Sequence, residues 1–153
     1  MILKDRIAVV TGAGSGIGRA GATIMGREGA TVVIADRDRG AGEAVASDIR
    51  QAGGRAEAVA TDVGDDAAVE ALISGTLGRH GRIDILHSHA GIQVGGSLIE
   101  VGVDGMDASW RINVRAQFLA AKTVMPTMIA QGGGVILNTA SNSGVFYDRE
   151  MIA

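Results

Sequence analysis

The sequence predicts an α/β fold with a parallel sheet assembled from βαβ units, and three observations carry that prediction. Short apolar runs rich in β-branched residues recur along the chain: RIAVVTG, TVVIAD, AEAVATDV, RIDILHSHAG and GVILNTAS. The stretches between them pair an apolar stripe with a polar face and finish near glycine, a common helix stop. Glycine is abundant, 24 residues against a single proline, and follows no collagen-like period, as many tight strand-to-helix turns require.

RIAVVTG forms the first strand and runs through a glycine turn into the helical stretch GIGRAGATIMGREG. TVVIAD is the second strand, followed by the helix RGAGEAVASDIRQAGG, and AEAVATDV is the third, followed by DDAAVEALISGTLGRHG. RIDILHSHAG is the fourth strand. A long helix is expected from about Gly105 to Gln131, and GVILNTAS returns as a fifth strand. Pro126 lacks an amide hydrogen and predicts a kink or an early end in the long helix. No linker, charge block, low-complexity tract or repeat beyond this alternation is legible, and neither is a helix or strand after Gly144.

The 153 residues suit one domain, and a chain of that length buries roughly 68 to 70% of its unfolded surface. A formal charge of −3 gives no electrostatic footprint for nucleic acid or an anionic membrane. The absence of cysteine excludes disulfides and thiolate chemistry, and the opening MILKDRIAVV has the apolar length of neither a signal peptide nor a membrane span. A cytoplasmic location is expected.

VVTGAGSGIGRA is the stretch richest in chemistry, with glycines at 12, 14, 16 and 18 between the first strand and the first helix. The chain must turn sharply there and let a pyrophosphate approach the backbone, where free N–H groups and the positive helix end stabilise an anion. Asp36 closes the second strand eighteen positions after Gly18, near the spacing of about 20 expected of an acid on the adenosine ribose. A carboxylate there accepts hydrogen bonds from both ribose hydroxyls and repels a 2′-phosphate, which favours NAD over NADP; Arg37 and Arg39 are the opposing signal. A P-loop is excluded because no Gly-Lys-Ser/Thr ends the turn.

These residues resemble the short-chain dehydrogenase/reductase family, and the likeness extends along nearly the whole chain. TGAGSGIG resembles its Thr-Gly-x-x-x-Gly-x-Gly turn, including Ser15 and Ile17, and TDV, with Asp62 and Val63, its adenine-contacting segment. HAG, His89 to Gly91 with Ala90 between, stands where the family shows Asn-Asn-Ala-Gly. WRINVRAQF resembles the segment that supplies a catalytic asparagine, here Asn113, and GGGVILNTASNSG the strand that delivers the catalytic serine, here Ser141 ahead of Ser143. The resemblance implies a Rossmann-type, doubly wound parallel sheet in three α/β/α layers. It implies hydride transfer between NAD(H) and an alcohol or carbonyl carbon of a small molecule. The serine would hold the substrate oxygen and the asparagine a water, and the full-length protein would be a homo-oligomer.

Two features depart from the family. Ser88 and His89 replace its paired asparagines, and His87 precedes them on the same face of an extended strand. Metal binding by the two histidines finds no supporting acid or third histidine, so no metal site is expected, and His89 is read as a local hydrogen-bonding substitute near the cofactor. The second departure is the family's Tyr-x-x-x-Lys pair. Tyr147 comes only six residues after Ser141 and is followed four residues later by Met151, so Tyr147 is read as a loop residue. Family spacing puts the tyrosine just past Ala153, and the chain is expected to represent the N-terminal two-thirds of such an enzyme. The competing reading is a dinucleotide-binding module or redox sensor without catalysis.

Overall fold

The computed structural model describes residues 1–144. Its strands are β1 (Ile7–Thr11), β2 (Thr31–Asp36), β3 (Arg55–Ala60), β4 (Ile85–Ser88) and β5 (Val135–Asn138), and they form a parallel sheet in the order β3-β2-β1-β4-β5. The registers put Val9 of β1 opposite Val33 of β2 and Leu86 of β4, while Ser88 faces Asn138 of β5. All five residues of β1 are buried, so this strand reads as a continuous apolar run rather than an alternating one.

Alternate side chains along the central strands separate two cores. Val9, Val33 and Leu86 point to one face, against Leu72 and Ile73 of α3 (Asp66–His80) and Ala120, Val124 and Met128 of the long helical run. Ala8, Val10, Val32 and Ile34 point to the other, against Ala22 of α1 (Gly16–Arg27) and Val45, Ala46 and Ile49 of α2 (Arg39–Gln51). The result is the three-layer, doubly wound Rossmann-type arrangement. Ile34, Ile73, Ile83 and Leu86 are fully buried, and each contributes about 1.5–3 kcal/mol by leaving water.

The expected helix from Gly105 to Gln131 differs in detail. It begins earlier, as α4 (Val103–Trp110), passes through a π-helical turn over Arg111–Arg115, and continues as α5 (Ala116–Ala130). The Ala116 N–H donates to the Arg111 carbonyl, the i to i−5 bond of a π turn. Pro126 does not end α5, which runs four residues past it. The irregularity falls instead at Asn113, where the helix side chain is tied to a neighbouring loop. Among the described residues no helix is long and apolar enough to cross a membrane.

Candidate functional site

The strand order reverses beside β1, with β2 and β3 on one side and β4 and β5 on the other. Open parallel sheets leave a crevice at the carboxyl ends of their strands at such a point. A cleft of about 570 Å³ lies there. Gly12, Ser15, Gly16 and Ile17 line it after β1, Asp36 and Arg37 after β2, Thr61, Asp62 and Val63 after β3, and His89, Ala90, Gly91 and Ile92 after β4. Ile112 of the π turn completes the wall.

Gly12 and Gly18 let the loops after β1 and β4 lie against each other. Gly12 has φ of 65°, and a side chain there would meet the Ala90 Cα at 2.8 Å. A Cβ on Gly18 would sit 2.2 Å from the Gly12 carbonyl oxygen and 2.8 Å from His89 Cδ2. Ser15, at the N-cap of α1, makes no side-chain cap, and no acid stands in the first turn. The contrast with the next two helices is direct: Asp38 caps α2 by accepting from Ala41 N, and Asp65 caps α3 by accepting from Ala67 N. The first amides of α1 thus keep their hydrogens for whatever enters the cleft, and the helix adds about half a positive charge. This cradle fits a phosphate.

Asp36 braces the same turn. Its Oδ2 accepts from Gly14 N at 2.8 Å and its Oδ1 from Asp38 N at 3.0 Å, and a Cβ on Gly14 would strike that carboxylate. Each carboxylate oxygen retains further acceptor capacity, and Asp36 lines the cleft. Asp62 Oδ1 accepts from Gly64 N at 2.9 Å and shapes the bend after β3.

Thr11 and Thr139 also organise the site, and sequence reasoning missed both. The buried Thr11 hydroxyl accepts from His89 N at 3.0 Å and Ala90 N at 3.1 Å. Thr139 follows β5; its N–H donates to the Ser88 carbonyl at 3.0 Å, and its Oγ1 lies 3.0 Å from both His87 Nε2 and His89 Nδ1. The Ser88 hydroxyl and His87 Nδ1 are buried without partners among the described residues. The side-chain link between the ends of β4 and β5 therefore runs through Thr139 and the histidines rather than through the Ser88 hydroxyl. Burial, and then the neighbouring His89, push the His87 pKa below the ordinary histidine value. The two imidazoles do share a face, as the strand geometry predicts, with centroids 5.4 Å apart. Among the described residues no group of three His, Cys, Asp or Glu could hold a metal ion. The register of β4 and β5 is the signal for Thr139: it is invisible until the strands are paired.

Asn113 pairs with the Ile92 backbone in both directions. Its Nδ2 donates to the Ile92 carbonyl at 2.9 Å and to Ser109 Oγ at 3.1 Å, while its Oδ1 accepts from Ile92 N at 2.8 Å. It fixes the cleft wall from behind. Ser141 stands just beyond β5, beside the 3₁₀ turn Asn142–Gly144; its Oγ accepts from Ser143 N at 3.2 Å and lies 3.3 Å from Asn142 Oδ1 and Ser143 Oγ. Ser141 and Asn113 share no hydrogen bond among the described residues, and they, Gly14 and Gly18 are not among the residues lining the cleft. Tyr147 and Met151 fall outside the described residues.

With this geometry in place, comparison with known proteins assigns the class. The short chain dehydrogenase family model matches residues 6–153, and the chain belongs to that family. It is 40% identical over 143 residues to an uncharacterized oxidoreductase of Bacillus subtilis (strain 168), covering 93% of this chain and 52% of the relative. It is 36% identical over 145 residues to an uncharacterized oxidoreductase of Thermotoga maritima, covering 95% and 57%. The chain thus spans a little over half the length of these relatives. Among solved structures, a short-chain dehydrogenase/reductase from Burkholderia phymatum in complex with NAD superposes with a TM-score of 0.94 at 34% identity, covering 99% of this chain and 54% of that one. A metagenomic short-chain oxidoreductase in complex with NADP gives 0.94 at 38%, covering 99% and 69%. A 7 alpha-hydroxysteroid dehydrogenase with NADH and 7-oxo glycochenodeoxycholic acid gives 0.93 at 30%, covering 97% and 58%.

Proposed function

We propose that the cleft binds NAD(H), and that the chain serves an oxidoreductase moving a hydride between nicotinamide and an alcohol or carbonyl carbon of a small molecule. The observation that carries this reading is the uncapped start of α1, set beside Asp36 at the switch point of the sheet. The amides from Ser15 through Gly18 would receive the pyrophosphate, and Asp36 the adenosine ribose hydroxyls. Asp62 and Val63 would border the adenine, and His89, Ala90 and Gly91 the inner half of the dinucleotide. The cofactor supplies the hydride acceptor or donor. Asn113 acts as a positioning residue, holding Ile92 and with it the cleft wall. The role proposed for Ser141 is to hold the substrate oxygen, from the carboxyl end of β5. Neighbouring structures were obtained with NAD, NADH and NADP, so the choice of NAD rests on Asp36, whose charge disfavours a 2′-phosphate while Arg37 attracts one. Self-association is supported by Trp110, Val114 and Phe118, four residues apart and exposed along the long helical run.

Calorimetric titration tests the reading. NAD+ is expected to bind more tightly than NADP+, and Asp36→Ala to weaken NAD+ binding and narrow the preference. A preference unaltered by Asp36→Ala would refute the assignment of Asp36, and no binding of either dinucleotide would refute the function.

A further inference from the structure

We infer that Thr139 fixes the proton of His89 on Nε2, so that this imidazole presents an N–H donor to an oxygen of the bound dinucleotide. The inference rests on the proposed function for its ligand, but its starting point is the geometry of the ligand-free chain.

A threonine hydroxyl has one proton and lies here within hydrogen-bonding distance of two imidazole nitrogens, His87 Nε2 and His89 Nδ1. It can donate to only one of them, so the other must donate to it. If both rings donated, the hydroxyl proton would have no acceptor among the described residues, so two neutral arrangements keep that proton bonded. In the first, His87 Nε2–H donates to Thr139 and Thr139 donates to His89 Nδ1, leaving the His89 proton on Nε2. In the second every donor reverses, which puts a proton on His87 Nδ1 and leaves His89 Nε2 as an acceptor.

The surroundings of His87 choose between them. Its Nδ1 is buried without a partner among the described residues, with Gly21 of α1 as the neighbour whose Cβ would stand 4.0 Å away. A stranded N–H in such a place costs more than a stranded lone pair, because donors have a single direction to satisfy. A doubly protonated His87 would strand the same N–H and add a buried charge, and its lowered pKa accords with the neutral form. The first arrangement follows: the tautomer of a histidine is set by the hydrogen bond at its other nitrogen.

His89 then turns the right edge to the cleft. Its Nδ1 is held by Thr139, and the opposite edge, Cδ2 with Nε2 next to it, faces Gly18 in the first turn of α1. The Nε2 has no hydrogen-bond partner among the described residues, and His89 lines the cleft beside Gly12 and Ser15. A directed N–H there adds a side-chain donor to the amides of α1. Thr139 and His87 are positioning residues, acting through His89.

Two-bond ¹H–¹⁵N correlation spectra of the ligand-free chain read the tautomers directly. The expected pattern is Nε2–H on both histidines; an Nδ1–H on His89 overturns the inference. In the NAD+ titration, His89→Leu is expected to weaken binding about 10-fold, the effect of losing one hydrogen bond to a charged group, and His89→Gln to restore most of it. Thr139→Val should weaken binding several-fold, and Thr139→Ser, which keeps the hydroxyl, should behave as the wild type. His89→Leu binding as tightly as the wild type would also overturn the inference. If the wild type binds no NAD+, the proposed function fails, while the tautomer pattern still decides whether Thr139 sets the His89 proton.

Discussion

Two cavities of comparable size lie at opposite ends of the same sheet, and only one is built to receive an anion. The cleft at the carboxyl ends of the strands encloses about 570 Å³; the other, at their amino ends between α1 and α2, about 480 Å³. The second is lined by Gly26, Gly29, Gly53 and Gly54 with Lys4, Arg27 and Arg55, so it has glycines and cations as well. What differs is the direction of the chain. At the amino ends, α1 and α2 terminate, and their last carbonyls are already taken by the turns that follow: Gly29 N donates to Gly26 O, Gly53 N to Arg50 O and Gly54 N to Ile49 O. Arg55 spends its guanidinium on Thr31 Oγ1, the Gly29 carbonyl and Asp5. At the carboxyl ends α1 begins, uncapped, with N–H groups unspent. Volume and glycine content do not make a site; unsatisfied hydrogen-bonding capacity in a fixed direction does.

The same division extends to the charges. Asp84, at the start of β4, is buried and accepts from Arg6, Arg82 and Ile7 N at 2.5–3.0 Å. Burial pushes its carboxyl up, and the hydrogen bonds from Arg82, Ile7 and Arg6 together outweigh it, holding it below the usual carboxylate range. This end of the sheet is read as serving stability, the other as serving binding.

Substitutions that respect or violate this division should separate the two properties. The largest effect is expected from Gly18→Ala, whose methyl would meet the backbone of Gly12 and the ring of His89. It should cost about 3 kcal/mol, the upper range for overpacking, and abolish measurable NAD+ binding; urea unfolding and calorimetry read the two losses. Asp84→Asn should lower stability by about 2 kcal/mol with NAD+ affinity unchanged. Because the folded pKa of Asp84 lies below the unfolded value of about 3.9, its contribution is complete above about pH 4 and fades as pH falls through the folded value. Acid unfolding of Asp84→Asn should lack that component. The smallest effect is expected from Ser15→Asp, which gives α1 the cap that α2 and α3 possess. It should raise stability by about 0.5 kcal/mol while weakening NAD+ binding, an opposed pair of changes that a purely structural turn would not produce.

Much of this division was legible before any coordinates. The apolar runs placed all five strands, most plainly β1 and β2, whose residues are buried on both faces and leave a continuous signal, and the glycine spacing with Asp36 marked the cleft. The π turn was not legible, because Arg111–Arg115 has ordinary helical composition and the turn coincides with the pairing of Asn113 with Ile92, 21 residues earlier. Thr139 was hidden for a similar reason: its partners lie 50 and 52 residues away and meet it only through the parallel register of β4 and β5. The early end that Pro126 allowed is not seen, since α5 runs on through it to Ala130.

Backbone hydrogen exchange with and without NAD+ tests the contrast between the two ends most directly. The account predicts new protection at the amides of Ser15 to Gly18 and at Gly91, and none at Gly29, Gly53 or Gly54, whose N–H groups are already bonded. Protection at those three amides, or none at the start of α1, would contradict it.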